Sequence, residues 1–169
     1  HYQISLEGLE TYNDYIRGEK HFKRSLEFLD LLREKNVYSM VMLTLNRDNM
    51  DQVIPLAELL QGRADSFTFN RLAMVGSGES LSMPDPDDFK IFLKAYLDAR
   101  SENHVIRLKD NLFNIFSGST GSTMFGGCTG YGCGAAFNFV SLLPDGEVHA
   151  CRKFPSMIGN INDGSLKDI

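Results

Sequence analysis

The sequence lacks an excess of positive charge: 22 acidic residues outnumber 17 lysines and arginines, and the net charge is −5. Proteins hold a phosphate backbone with clustered cations, so this balance argues against a nucleic-acid partner. Long apolar runs are also missing. The longest, Val37 to Leu45, falls well short of the roughly 20 residues of a membrane helix, and no secretory signal pattern opens the chain. We therefore expect a cytoplasmic protein with no membrane partner.

Cysteine is scarce, and all three cysteines stand in or beside one glycine-rich stretch. An odd, small number argues against a disulfide framework and favours a metal or redox role, although three unrelated buried thiols remain an alternative. Cys128 and Cys133 follow the spacing C-x4-C, and Cys151 follows Cys133 after 17 intervening residues. Because this is not the C-x-x-C spacing of thiol redox proteins, a redox enzyme is the weaker hypothesis.

Three thiolates suit zinc, copper(I) or an iron-sulfur cluster, but a cubane cluster needs four ligands. One local solution is His149, which shares a strand face with Cys151 and would complete a Cys3His zinc site. The other is a ligand from outside the segment. The sequence alone leaves both open.

Strand and helix patterns alternate over the first two thirds of the chain. Apolar runs predict three strands, and apolar residues at helical spacing predict helices between and after them, with a kink at Pro55. Asp85 and Pro86 predict the start of the last helix. The predicted strands are Tyr2–Leu6, Val37–Leu45 and Ser66–Arg71. This order favours an α/β fold with right-handed crossovers on a parallel sheet, too small to close a barrel.

The alternation of strand and helix patterns ends near Ile106, and a Gly- and Ser-rich linker follows over residues 116–127. Beyond the linker, Asn138–Leu143 and Glu147–Cys151 flank the turn Pro144–Gly146, which predicts a β-hairpin. We therefore predict two units, residues 1–105 and residues 106–169.

Several stretches resemble radical SAM enzymes that carry a SPASM domain. "YQISLEG" (residues 2–8) and "YNDYIRG" (12–18) are similar to the family's fourth strand and following loop, with Glu7 where Asp is commoner. "TLNRDN" (44–49) and "NRLAMVGSGESL" (70–81) resemble the ends of its fifth and sixth strands. "CTGYGCGAAFNFVSLLPDGEVHAC" (128–151) is similar to the first half of a SPASM domain.

This resemblance implies the second half of a partial (β/α)6 TIM-type barrel, followed by a small Cys-containing hairpin unit that is part of a SPASM domain. The family's C-x3-C-x2-C loop and its later SPASM cysteines do not appear in the sequence. We therefore expect a fragment that is inactive by itself. Open strand edges in such a fragment predict self-association.

The resemblance also implies the site residues and cofactors. Cys128, Cys133 and Cys151 would bind an auxiliary 4Fe-4S cluster. Ser5, Arg17, Thr44 and Asn46 would lie on the cofactor side of the barrel, near S-adenosyl-L-methionine, which is bound with its own 4Fe-4S cluster in the parent protein. If these residues do not bind the cofactor, Ser5 and Thr44 would form turns or caps, and Arg17 would be solvated. Gly76 and Gly78 would either admit adenine or allow a tight loop.

For the parent protein, the resemblance implies an iron-sulfur oxidoreductase that modifies a ribosomal peptide or protein through a deoxyadenosyl radical. Sulfatase-maturing relatives carry a carboxylate directly after the third cysteine, whereas this chain has Arg152. That departure favours a different peptide substrate, and Arg152 would tune the cluster, grip an acidic peptide group or form a surface ion pair. The alternative from another class is a structural zinc-binding or peptide-binding module without catalysis.

Overall fold

The computed structural model describes residues 1–117 and 133–169. The elements in chain order are β1 Tyr2–Ser5, α1 Glu10–Arg17, α2 His21–Glu34, β2 Ser39–Leu45, α3 Val53–Leu60, β3 Ser66–Arg71, α4 Pro86–Glu102, α5 Asn114–Ser117, β4 Ser141–Leu142, β5 Glu147–Cys151 and β6 Phe154–Asn160. Short 3-10 turns lie at Met50–Gln52, Gly76–Gly78 and Asn111–Phe113. In these ranges, no helix combines the length and apolar character needed to cross a membrane.

The first sheet is parallel, with its strands in the order β1-β2-β3. Ser5 pairs with Met42 and Thr44 pairs with Asn70, so the polar ends of the three strands meet at one edge. The predicted α/β class is confirmed, and the three predicted strands are present within two residues of their expected bounds. Each crossover contains at least one helix, as parallel neighbours require.

The helices follow their sequence signals with two corrections. The side chain of Asp85 accepts the backbone N–H of Asp87 at 2.9 Å, so α4 begins as predicted. The predicted kink at Pro55 is wrong, because α3 begins at Val53 and its first turn does not need the missing N–H. Helix α1, which we expected to be loop, is short and exposes most of its residues, so it carries little apolar signal.

The apolar core lies on one face of the first sheet. Val41 and Leu43 of β2 and Phe67 and Phe69 of β3 point to the same side, because they are paired in register. Residues of α2, α3 and α4 pack against this face in a single cluster. The other face carries Gln3, Ser5, Met40, Met42, Thr44, Ser66, Thr68 and Asn70. A parallel sheet with helices on both faces would be apolar on both faces. The polar residues on this face therefore indicate that helices cover only the other face.

The segment after α4 continues the first core. Ile106 forms a parallel bridge with Phe67, and Ile106 and Phe113 are fully buried in the same cluster. The hydroxyl of Tyr96 donates a hydrogen bond to the carbonyl of Arg107 at 3.1 Å, and burial raises the pKa of this phenol. The first core therefore extends past residue 105, and the boundary between two units stays a prediction.

The second sheet is antiparallel, in the order β4-β5-β6. The turn at Pro144–Gly146 joins β4 and β5 as the sequence predicts, and Gly146 adopts φ +86° there. Strand β4 is shorter than the predicted Asn138–Leu143, since residues 138–140 and Leu143 lie outside it. The sequence analysis also missed β6, whose pairing with β5 is interrupted by register shifts.

Candidate functional site

The carboxyl ends of β2 and β3 open onto a cavity of about 380 Å³. Thr44 and Asn70 line its floor, and Arg152 and Lys153 reach it from the second sheet. In open α/β sheets, ligands bind outside the carboxyl ends of the strands. Another cavity, of about 420 Å³, lies at the opposite end of the sheet beside Tyr38 and Asp65, away from these polar strand ends.

Glu7 ties the end of β1 to the end of β2. Its carboxylate accepts hydrogen bonds from the backbone N–H of Thr44 at 3.1 Å and from Nε of Arg17 at 3.0 Å, and it also contacts Nη2 of Arg17. The carbonyl of Glu7 accepts a bond from the Asn49 side chain at 2.7 Å. Glu7 is only 7% exposed, so Arg17 neutralises a buried charge. The guanidinium of Arg17 is thus paired with Glu7, although its side chain remains 35% exposed.

Asn46 is buried within the turn that follows β2. Its Oδ1 accepts the N–H of Asp48 at 2.8 Å, and its own N–H donates to Oδ1 of Asn49 at 2.8 Å. The side chain also meets the hydroxyl of Tyr12 at 3.1 Å, and burial raises the pKa of this phenol. Asn46 therefore fixes the loop between β2 and α3. Ser5 and Thr44, in contrast, are half-buried on the polar face of the sheet.

The loop after β3 is tight. A Cβ on Gly78 would lie 2.4 Å from the carbonyl oxygen of Ala73, so only glycine fits. Because this contact is within the loop, it supports the tight loop, one of the two roles expected for Gly78. Gly78 also lines the cavity at the carboxyl ends of the strands.

Two of the three cysteines line a second, larger cavity of about 640 Å³, which adjoins the first. Cys133 is exposed, Cys151 is half-buried, and both are free thiols. The backbone N–H of Lys153 donates to Sγ of Cys151 at 3.4 Å, and hydrogen bonds of this kind tune the sulfur ligands of clusters. Cys128, the remaining predicted ligand, lies outside the described residues. Two of the three predicted cluster ligands therefore line one cavity.

The contacts of His149 argue against a role as a zinc ligand. Its Nδ1 accepts the backbone N–H of Ser156 at 3.1 Å, so its Nε2 carries the proton that bonds to Glu147 at 2.7 Å. The ring is 8% exposed and joins β5 to β6. Within residues 1–117 and 133–169, no group of three or more His, Cys, Asp or Glu side chains is arranged to hold a metal ion. The local Cys3His arrangement stays an untested prediction, because Cys128 lies outside those residues.

Four cations surround the larger cavity: Arg71, Lys109, Arg152 and Lys153. Arg71 pairs with Asp110, the one carboxylate among the described lining residues. Burial, and after it the charges of Lys109 and Arg152, lower the pKa of Lys153. The cavity is therefore positive, although the whole chain is negative.

The fold and the two cavities define an α/β protein whose parallel sheet opens at its carboxyl edge toward a pair of thiols. No protein-family profile matches the chain. Over 168 residues it is 26% identical to the sporulation killing factor maturation protein SkfB of Bacillus subtilis (strain 168), and the match covers 99% of this chain and 39% of SkfB.

Solved structures of SuiB from Streptococcus suis share the fold. The chain superposes on SuiB with a TM-score of 0.69 at 16% identity, over 98% of this chain and 42% of SuiB. Structures of SuiB bound to S-adenosylmethionine and to its precursor peptide SuiA each give a TM-score of 0.67. The chain thus spans about two fifths of the length of these relatives. The predicted resemblance to radical SAM peptide maturases is confirmed.

Sequence reasoning missed several residues that shape this site. Glu7 was noted only as a departure from a motif, yet it organises both strand ends. Asn70, Arg71 and Lys109 were not selected, although polar residues at the ends of buried strands are a usable signal. Lys109 does not lie at the end of a predicted strand, so the sequence does not mark it. Only the folded chain brings its Nζ to 3.7 Å from Sδ of Met42.

Proposed function

We propose that this chain forms part of a radical SAM peptide maturase, supplying strands of a partial (β/α)6 barrel and the first part of an auxiliary-cluster domain. The observation that carries the proposal is that Cys133 and Cys151 line one cavity beside the carboxyl ends of the parallel strands. The match to a maturation protein over nearly the whole chain supports it.

The arrangement of the sheet supports the barrel. Consecutive parallel strands with α2, α3 and α4 packed on one face leave the other face open, as in the wall of a barrel and unlike a doubly wound sheet. In this account the polar face, with Ser5 and Thr44, lines the interior. Cytoplasmic location belongs to the same proposal, since the chemistry needs a reducing compartment.

The four predicted cofactor-side residues have two kinds of role in the proposal. Ser5 and Thr44 offer hydroxyls to the polar groups of S-adenosyl-L-methionine. Arg17 and Asn46 position the strand ends, because their side chains are bonded to Glu7 and to Tyr12. Together they orient the cofactor and exclude water from it.

Cys128, Cys133 and Cys151 would hold the auxiliary 4Fe-4S cluster, with the Lys153 N–H supporting Cys151. When bound, S-adenosyl-L-methionine and its own reduced cluster supply a deoxyadenosyl radical that abstracts hydrogen from a peptide. The sequence contains no C-x3-C-x2-C loop for that cleaving cluster, so the present chain supplies cofactor walls and the auxiliary site.

Anaerobic reconstitution with iron and sulfide tests whether this chain binds the auxiliary cluster and lacks the cluster that cleaves S-adenosyl-L-methionine. We expect broad visible absorption in the reconstituted chain and its loss when Cys128, Cys133 and Cys151 are all replaced by alanine. Incubation with S-adenosyl-L-methionine and a strong reductant should yield no deoxyadenosine. Colourless zinc binding in place of iron, or deoxyadenosine formed by these 169 residues, would contradict the proposal.

A further inference from the structure

Within the part of the chain that the structure describes, three cations of the larger cavity have no acidic partner. Arg71 is paired with Asp110, but Lys109, Arg152 and Lys153 form no ion pair within the described residues. Ion pairing elsewhere in the described chain is ordinary, as at Arg63 with Asp30. The surface ion pair expected as one role of Arg152 is therefore not formed within the described residues.

The backbone fixes where these cations stand. Arg152 follows the last residue of β5, and its N–H donates to Oγ of Ser141 at 3.1 Å. Lys153 is anchored next to it by its N–H bond to Cys151. Lys109 approaches from the first sheet, with Nζ 3.7 Å from Sδ of Met42. Two separate sheets thus bring like charges to one cavity, an arrangement that costs repulsion unless an anion is bound.

The shape and composition of the cavity narrow the choice of anion. Its volume of about 640 Å³ exceeds what a single small ion fills, and its wall combines the cations with Phe69, Leu72 and Phe139. Apolar side chains beside cations suit an organic acid carried on a chain better than a free inorganic ion. Arginine and lysine both bind carboxylates by charge-assisted hydrogen bonds.

We propose that Lys109, Arg152 and Lys153 bind the carboxylate of an acidic side chain in the peptide substrate. This inference rests on the proposed function, because it takes the substrate to be a peptide. The site selects peptides that carry Glu or Asp, and it holds that acidic side chain in the cavity that Cys133 and Cys151 also line.

Fluorescence anisotropy with a fluorescein-labelled hexaglutamate peptide tests the site, and labelled hexaglutamine serves as the neutral control. We expect hexaglutamate to bind and hexaglutamine not to bind. Replacing Lys109, Arg152 and Lys153 together by glutamine should raise the Kd about tenfold or more, as loss of three partly exposed charge contacts predicts. The matched control replaces the exposed Lys23, Lys90 and Lys94 by glutamine, and its Kd should change by less than about twofold.

A second variant guards against misfolding of the triple substitution. Asp110→Asn removes the one described carboxylate of the cavity wall and releases Arg71, so hexaglutamate should bind more tightly. The charge-preserving set Lys109→Arg, Arg152→Lys and Lys153→Arg should keep binding near the wild-type value. An equal loss in both glutamine sets, or no binding by the wild-type chain, would overturn the inference.

The outcomes separate this inference from the proposed function. Each protein is measured before and after reconstitution with iron and sulfide. If the chain takes up iron and ignores hexaglutamate, the carboxylate site falls alone and the cations only offset the charge of a thiolate-bound cluster. If iron never binds but hexaglutamate does, the proposed function falls and the anion site stands. Displacement of hexaglutamate by S-adenosyl-L-methionine would assign the cations to the cofactor and overturn the peptide site.

Discussion

Glu7 joins three parts of the chain that are distant in sequence: the end of β1, the end of α1 and the end of β2. A buried carboxylate is tolerated only when its oxygens are bonded, and here Arg17 and the N–H of Thr44 satisfy them. The residues on either side of it, Leu6 and Gly8, are also buried. Glu7 therefore controls where the candidate cofactor residues stand.

Replacing Glu7 by alanine should lower the free energy of unfolding by about 2 to 3 kcal/mol, because Arg17 and the Thr44 N–H lose a charged partner in a buried place. Urea unfolding followed by circular dichroism measures the change. Glu27→Ala is the control, because Glu27 is exposed and forms a weak pair with Lys23 at 4.0 Å. This substitution should lower the free energy of unfolding by less than about 0.5 kcal/mol. Equal losses in the two variants would contradict the role of Glu7.

His21 makes stability depend on pH. Burial, and after it the charges of Arg17 and Arg24, lower the pKa of His21 from 6.5, and Asn13 contacts its Nδ1 at 3.1 Å. The folded chain therefore favours the neutral ring, whereas the unfolded chain protonates it near 6.5. This contribution to stability is complete above that pH and is lost as the pH falls toward the lowered folded pKa.

The free energy of unfolding should thus decrease between pH 7 and pH 5, and His21→Gln should flatten part of this decrease. Urea titrations at several pH values measure the slope. The exposed His104, changed to glutamine, is the matched control and should leave the slope unchanged. A steeper decrease in His21→Gln would show that the sign of the pKa shift is wrong.

At the scale of elements, the hairpin depends on its turn. Gly146 lies at φ +86°, and a Cβ there would be 2.5 Å from Nδ2 of Asn162. Gly146→Ala should therefore destabilise the chain by about 1 to 2 kcal/mol. Gly164→Ala is the control, because its Cβ would meet nothing within 4 Å. Thermal unfolding of both variants measures the difference, and an undisturbed Gly146→Ala protein would argue against this turn.

Elements with strong local signals were predictable from the sequence. The apolar run of β2 and the cap at Asp85 give clear periodicity or a cap signal, so their elements were found. Helix α1 and strand β6 were not found, because neither shows a continuous apolar pattern. The start of α2 depends on a contact that periodicity does not show: Asp14 of α1 accepts the N–H groups of Lys20 at 2.7 Å and of Phe22 at 2.8 Å.

The candidate site was predictable only in part for a similar reason. Cysteine spacing marks Cys133 and Cys151 in any reading of the sequence, and both line one cavity. The roles of Arg17 and Lys109 depend on contacts 10 and 67 residues away along the chain, with Glu7 and Met42. Periodicity carries no information about such contacts.

For the molecule as a whole, β1 leaves one edge of the first sheet unpaired within the described residues. The N–H groups of Tyr2 and Leu6 donate to the carbonyls of Tyr38 and Met42, at 2.9 and 3.2 Å, so the alternate N–H groups of Gln3 and Ser5 point outward. Exposed edges of this kind recruit other strands.

We therefore predict that the chain self-associates through β1 at high concentration. Gln3→Pro removes one outward N–H without removing a bond to β2, and it should shift the protein toward monomer. Multi-angle light scattering over a concentration series measures the mass, with Gln3→Ala as the control. A monomer at every concentration, or identical behaviour of the proline and alanine variants, would refute association through this edge.

We propose above that Cys133 and Cys151 bind one iron-sulfur centre at the carboxyl edge of the sheet. The iron-to-chain ratio after anaerobic reconstitution tests it most directly, in Cys133→Ala, Cys151→Ala and His149→Gln beside the wild-type chain. We expect each cysteine substitution to lower the ratio strongly and His149→Gln, whose ring nitrogens are already bonded, to leave it unchanged. Iron retained by both cysteine variants, or lost only with His149, would contradict it.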